Sequence, residues 1–205
     1  MARLKLVNKS LILENNYSNS LNLTLDAIGV GLRSVNPVCL MKKSVKLSNN
    51  NLSIFNYNGE KLVLDFASFK STYLIGAGKA TASMADAFIK ILGSNKIKEG
   101  CITVPYGIKL KNNLCAITYA SHPIPDSSGV LGTKKILKLL EKVTKNDLIV
   151  VLLSGGASAL MPLPLDIITL SEKQNITMRL LSAGATIDEL NTVRKHLSKI
   201  KGGGL

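Results

Sequence analysis

"YLIGAGKATASMADAFIKILG", residues 73 to 93, carries the architecture of the chain in miniature. Residues 73–75 read as a short buried strand, Gly76 and Gly78 as a turn, and 80–92 as a helix closed by Gly93, since glycine tolerates the left-handed backbone that ends helices. A strand, a glycine turn and a helix in succession make the unit from which parallel α/β sheets are assembled.

The unit recurs downstream. "GCITVP" (100–105) and "CAITYA" (115–120) read as further strands, and Asp126 stands where it can cap a helix over 127–143 with Val130, Ile136, Leu137 and Leu140 turned inward. "DLIVVLL" (147–153) is nearly uninterrupted apolar sequence and reads as the most buried strand. Two helices follow, each opened by a capping box, Thr169 with Glu172 and Thr186 with Glu189, and Gly184 separates them.

Upstream, Leu21, Leu25, Ile28 and Leu32 fall on one helical stripe, read as core-facing, with Ser20 as N-cap and Pro37 beyond the end. Residues 51–66 read as a hairpin about Asn58-Gly59, a pair that favours positive φ at both turn positions. Residues 1–19, rich in Asn and Ser, read as a loosely ordered segment ahead of an α/β domain over 20–205. The closing "KIKGGGL" places three glycines where a turn should lead into another element, so the domain reads as truncated.

Composition bounds the function. The chain has 205 residues, 46% apolar and 19% charged, enough for one α/β domain; with 4% aromatics and no Trp, its core rests on Leu, Ile, Val and Ala. No apolar run reaches the eighteen or so residues of a membrane span, so no membrane partner is expected. Cys39, Cys101 and Cys115 lack CxxC spacing and only two histidines accompany them, which leaves no metal-ligating set and suggests free thiols in a reducing compartment. A cytoplasmic location is expected, and the basic stretch before Glu14 leaves a mitochondrial one open.

The net charge of +13 is spread along the chain, with +5 over residues 1–70, +6 over 71–147 and +2 over 148–205. Nucleic-acid binders concentrate charge and interleave aromatics for stacking, and neither feature is present, so no nucleic acid is expected. A diffuse positive field suits small anions.

Four motifs could carry chemistry. In "LIGAGKATASM" (74–84), Gly76 and Gly78 precede a helix start that would present unpaired N–H groups and the positive end of a dipole, with Lys79 adding a full charge. An anion would account for a cation in that disfavoured position, whereas a tight turn with a solvated lysine would account for the glycines alone. In "SGGASAL" (154–160), Ser154, Gly155, Gly156 and Ser158 follow a strand directly, at the end where open α/β sheets bind ligands. It is neither a Walker A loop nor a GxSxG elbow, and Met161, Pro162 and Pro164 stop any long helix.

In "SHPIPDSSG" (121–129), His122 and Asp126 could share a pocket, but a structural histidine and a capping aspartate explain both more simply. In "NTVRKHLSKIKGGG" (191–204), Asn191, Arg194, Lys195 and Ser198 share one helical face with Lys199 beside it, a cationic and hydrogen-bonding surface suited to an oxyanion.

Taken together, "LIGAGKATASMADAF", "GCITVPYG", "ASHPIPD", "DLIVVLLSGGASALMPLP", "TLSEKQ" and "GATIDELNTVRKHLSKIKGGGL" resemble the N-terminal domain of the glycerate kinases that also carry a MOFRL domain, in order and spacing from about residue 20 onward. The resemblance implies a Rossmann-like, three-layer α/β/α sandwich with a mostly parallel sheet. It also implies an ATP-dependent kinase acting on D-glycerate, most often giving 2-phosphoglycerate, with Mg²⁺ as helper. In such enzymes the lysine of the GKA motif, Lys79 here, is the catalytic candidate, working with an arginine from the second half of the protein. Gly76, Gly78 and the loop of Ser154, Gly155, Gly156 and Ser158 would hold phosphate or the glycerate carboxylate, while Asn191, Arg194 and Lys195 line the same cleft.

Two departures bear on these expectations. Ala157 stands where the family often has glycine, and the chain is under half the family's usual length, without the partner arginine or the MOFRL domain. Weak or absent activity of this chain alone is therefore expected, with a non-catalytic binding or interaction module as the alternative and a homo-oligomer left open.

Overall fold

The computed structural model describes residues 19–108 and 113–205. The segment read as loosely ordered lies outside the described residues up to position 18, and Asn19 already opens a helix.

Helices α1 (Asn19–Ser34) and α2 (Pro37–Ser44) lead into an antiparallel meander of β1 (Val45–Ser48), β2 (Asn51–Phe55) and β3 (Lys61–Asp65). Then strands and helices alternate: β4 (Thr72–Ala77), α3 (Thr81–Leu92), β5 (Glu99–Pro105), β6 (Cys115–Ala120), α4 (Ser127–Leu140) and β7 (Leu148–Leu153). The single turn α5 (Ala157–Leu160) and helices α6 (Leu170–Ser182) and α7 (Ile187–His196) complete the chain. Strands β4 to β7 form one parallel sheet in the order β6-β5-β4-β7.

Both faces of the central strands β4 and β5 are covered, because both are apolar on both sides of the pleat. Leu74, Ile102, Val104 and Leu152 pack against Ala82, Ala85, Phe88 and Leu92 of α3, with Met41, Val45 and Leu52 extending the same core toward the meander. On the other face Tyr73, Ile75, Ala77 and Cys101 meet Ile136 and Leu139 of α4, together with Leu160, Met161, Leu163 and Ile200. The result is the Rossmann-like α/β/α sandwich. Asp126 caps α4, and capping boxes open α6 and α7 as read.

Four readings are corrected. Strand β7 is not the most buried strand: it lies at the sheet's edge, with Ile149, Val151 and Leu153 40 to 54% exposed, while every residue of β4 is buried. The stripe of α1 is not core-facing, since Ile28 and Leu32 are about half exposed and only Gly29 of that helix is buried. Ser20 lies inside α1, and Pro37 starts α2 under an Asn36 cap, because a proline at the first helical position gives up no hydrogen bond. The hairpin closes through five residues, in which Asn56 Oδ1 accepts from the N–H groups of Asn58 and Glu60 and Gly59 alone has positive φ. The two-residue turn with both φ positive belongs instead to Asn49 and Asn50, between β1 and β2.

Candidate active site

From β4 the chain steps outward to β5 and β6, then returns to place β7 on the other side of β4. Where strand order reverses in an open α/β sheet, the loops leaving the carboxyl ends diverge and leave a crevice that ligands occupy. Those loops are 76–81 and 154–158, so topology brings together two motifs separated by some 74 positions.

The loops are joined to each other. Lys79 N–H donates to the Gly155 carbonyl (2.9 Å), Ala80 N–H to Ser154 Oγ (3.0 Å) and Ser154 N–H to the Ala77 carbonyl (3.2 Å). Gly78 N–H reaches the Thr103 carbonyl and Thr81 N–H the Gly78 carbonyl. The expectation of unpaired N–H groups at the start of α3 is met only in part: from 78 to 81 every backbone donor has a protein acceptor, and the first-turn N–H groups of Ala82 and Ser83 are left without one among the described residues. What this side offers an anion is the helix dipole and the Lys79 side chain, which is exposed and makes no hydrogen bond or ion pair among the described residues.

Close approach also explains the glycines. A Cβ on Gly76 would collide with the Leu152 carbonyl oxygen, and one on Gly78, where φ is +140°, with Ser154 Oγ. The close approach of β4 to β7 requires the first, and contact between the two loops the second.

The second loop is different. The N–H groups of Gly155, Gly156 and Ser158 have no acceptor among the described residues, and nothing stands within 4 Å of a Cβ placed on Gly155. Gly156 adopts φ +91°, and a Cβ there would lie 2.8 Å from Cδ2 of His122. His122, read as structural, therefore forms a wall of this loop. Asp126 is fully engaged: Oδ1 accepts from Gly129 N–H (2.9 Å), and Oδ2 from Ser121 N–H and the Tyr106 hydroxyl (3.1 Å each).

Helix α7 supplies the third wall. Arg194 donates through Nη2 to Ser158 Oγ at 2.9 Å, which ties the helix to the β7 loop. Asn191 and Lys195 are exposed and make no side-chain hydrogen bond or ion pair among the described residues, so the structure brings Arg194 to the loops but leaves these two on the helix surface. Ser198 turns inward instead, with its Oγ donating to the Leu163 carbonyl.

Two lysines escaped the sequence reading. Lys173 of α6 is 6% exposed and donates to the carbonyls of Pro162 (2.9 Å) and Leu197 (3.0 Å). Lys201 donates to the Met161 carbonyl at 2.6 Å. Burial, reinforced by the Arg194 charge, lowers the Lys173 amine to about 8; burial and the charges of Lys173 and Arg194 lower Lys201 to about 7. Nothing in "SEKQ" distinguishes Lys173 from a solvated helix lysine, whereas Lys201 could have been noticed beside the glycine turn. Among the described residues no group of three His, Cys, Asp or Glu side chains could hold a metal ion.

Fold and site together define an open, Rossmann-like α/β domain whose switch-point loops carry Lys79 and bind Arg194 of α7 beside loop amides that have no acceptor among the described residues. A family model described as a domain of unknown function, DUF4147, matches residues 23–205. The chain is 37% identical over 169 residues to the D-glycerate 2-kinase of Thermotoga maritima, covering 82% of this chain and 40% of that protein. It is 41% identical over 165 residues to the glycerate kinase of Danio rerio, covering 72% and 33%. Among solved structures, a Pyrococcus horikoshii protein superposes with a TM-score of 0.77 at 33% identity, over 92% of this chain and 41% of that one. The crystal structure of T. maritima glycerate kinase does so with a TM-score of 0.74 at 33% identity, over 91% and 41%. The chain belongs to the DUF4147 family and corresponds to the N-terminal part of glycerate kinases. It spans between a third and two fifths of the length of these curated relatives.

Proposed function

We propose that this chain is the donor- and acceptor-binding part of a glycerate kinase, in which phosphate passes from ATP to D-glycerate, giving 2-phosphoglycerate. The observation that carries this reading is the joining of 76–81 to 154–158 at the switch point, with Arg194 anchored on Ser158. Phosphoryl transfer asks a protein mainly to align donor and acceptor and to neutralise oxygen charge. Lys79, the free N–H groups of Gly155, Gly156 and Ser158, and Arg194 form a donor set that suits a polyphosphate facing a small hydroxy acid. ATP fits these residues. Mg²⁺ has no protein-built cradle among the described residues and no step here depends on it.

In this reading Lys79 neutralises charge on the transferred group, while the 154–158 loop and Arg194 hold the oxyanion of the acid or of the nucleotide. The relatives named glycerate kinase are roughly twice as long, so turnover is expected to need residues beyond these 205. The test is an ATP- and D-glycerate-dependent assay of this chain beside the T. maritima enzyme, with the lysine equivalent to Lys79 changed to alanine in the latter. A loss of kcat of about a hundredfold or more is expected for removing a charge from the transition state; unchanged turnover refutes the role given to Lys79.

A second reading, a binding or interaction module without catalysis, is favoured by the exposed apolar row of Ile149, Val151 and Leu153. Ligand binding without turnover, even in the presence of a full-length relative, would support it.

A further inference from the structure

Beneath the 154–158 loop three cations converge on uncharged partners. Lys173 and Lys201 bind the successive carbonyls of Pro162 and Met161, and Arg194 binds the hydroxyl of Ser158 one turn earlier. Their charges act on one another: Arg194 on Lys173, and both on Lys201. Gathering like charges away from water is unfavourable twice over, through lost hydration and mutual repulsion.

No acid in this half of the chain relieves it. Asp166 pairs with Lys199 at 2.6 Å, Glu172 and Glu189 close the capping boxes of α6 and α7, and Asp188 is exposed in the first turn of α7. Asp126, across the loop, is engaged in capping α4. Donors nevertheless remain. Lys201 uses one of its three and Arg194 one of its five.

Resting on the reading above, we propose that Arg194, Lys173 and Lys201 form an oxyanion subsite of the crevice. Arg194 and Ser158 touch a carboxylate or phosphate group, and the two lysines hold the Met161 and Pro162 segment and supply charge from behind it. The two lysines are positioning residues. The charged groups around Lys201 are Lys173 on α6, Arg194 and Lys195 on α7, and the Lys199–Asp166 pair on the adjoining turn. A bound anion offsets the repulsion from Lys173 and Arg194, so it must raise the affinity of Lys201 for its proton.

The test is titration calorimetry of the 205-residue chain with sulfate, an oxyanion that does not itself titrate near neutrality. Runs near pH 7.5 in two buffers of different ionisation enthalpy report protons taken up on binding. Expected are saturable sulfate binding with net proton uptake, weakening as pH rises above about 7, and a loss of affinity of about tenfold or more in Lys201→Met and Arg194→Met.

Competition by D-glycerate marks the subsite as one for a carboxylate, and competition by ATP as one for a phosphate; either supports it. Absence of sulfate binding, or buffer-independent binding in the unaltered chain, overturns the subsite without recourse to any variant. Sulfate binding with proton uptake that neither D-glycerate nor ATP disturbs keeps the subsite but refutes the kinase reading. ATP binding that depends on Lys79 while sulfate binding is absent does the reverse.

Discussion

Strands β4 and β7 lie side by side in register, Thr72 opposite Leu148 through Ala77 opposite Leu153, yet they live in different surroundings. TYLIGA is buried at every position; LIVVLL, the more apolar of the two, is buried only at Leu152. Neighbours on both sides enclose β4, whereas β7 has one neighbour, and α4 covers β5 and β6 but not the odd-numbered row of β7. Burial follows place in the sheet, not hydropathy. The loops repeat the contrast: the one after β4 commits its donors at 78–81 to protein, while the one after β7 keeps three amides free. One strand and its loop form the frame, and the other carries the open side of the crevice.

The contrast is tested most severely at the glycines. Gly76→Ala should destabilise the chain by more than about 4 kcal/mol, the range reached when backbone must be forced apart in a core. The added Cβ meets the Leu152 carbonyl, a β7 atom that can yield only if the two strands separate. Gly155→Ala, in open space without positive φ, should stay within about 0.5 kcal/mol. Denaturant titration of both variants measures the difference, and equal stabilities would mean that β4 and β7 do not approach each other this closely.

Much of this frame was readable beforehand, because the local signals agree with the global fold. The βα unit at 73–93, the strands at 100–105 and 115–120, the Asp126 cap and both capping boxes each have a nearest-neighbour cause. What could not be read depends on which strands are neighbours. The edge position of β7, the occupation of the 78–81 donors by Ser154 and Gly155, and the wall formed by His122 all arise between residues far apart in sequence. Helical spacing grouped Asn191 and Lys195 with Arg194, but only Arg194 reaches Ser158, since a face of a helix is broader than the contact it makes. Lys173 was invisible because nothing in a sequence marks a lysine as buried, and only its place beside the glycine turn could have drawn notice to Lys201.

Truncating the one buried position of the open strand comes next in size. Leu152→Ala should cost about 2–3 kcal/mol, toward the lower end for a core leucine because an edge strand can settle partly into the cavity. A loss below about 1 kcal/mol would place β7 outside the core altogether.

A shallower effect follows from pH. Below about 7 both states carry the Lys201 charge, and the folded state bears it buried; as pH rises the folded amine releases its proton while the unfolded one, near 10.5, retains it. Lys173 behaves likewise from about 8. Stability should therefore climb from pH 7. Cys101 and Cys115 act oppositely: burial raises their thiols to about 11 and about 12 from an ordinary 9, so above pH 9 the unfolded thiols ionise and the folded ones cannot. Denaturation midpoints measured from about pH 6 to about pH 10 should rise from pH 7, flatten above about pH 9 as the two thiols offset the two lysines, and peak close to pH 10. A profile flat from 7 to 9 would mean that the two lysines are not buried as free cations.

The smallest effect is expected beside the buried leucine. Val151 lies opposite Ile75 on the uncovered row of β7 and is 43% exposed, so Val151→Ala should change stability by less than about 1 kcal/mol, the span of strand preference. The same substitution at a covered position would remove methyl groups from packed neighbours and leave a cavity. If Val151→Ala instead destabilises as Leu152→Ala does, the row is covered in solution, and a dependence of that loss on protein concentration would identify the cover as a second copy of the chain. A small loss, independent of concentration, leaves the odd-numbered row of β7 open to water and the difference between the two strands intact.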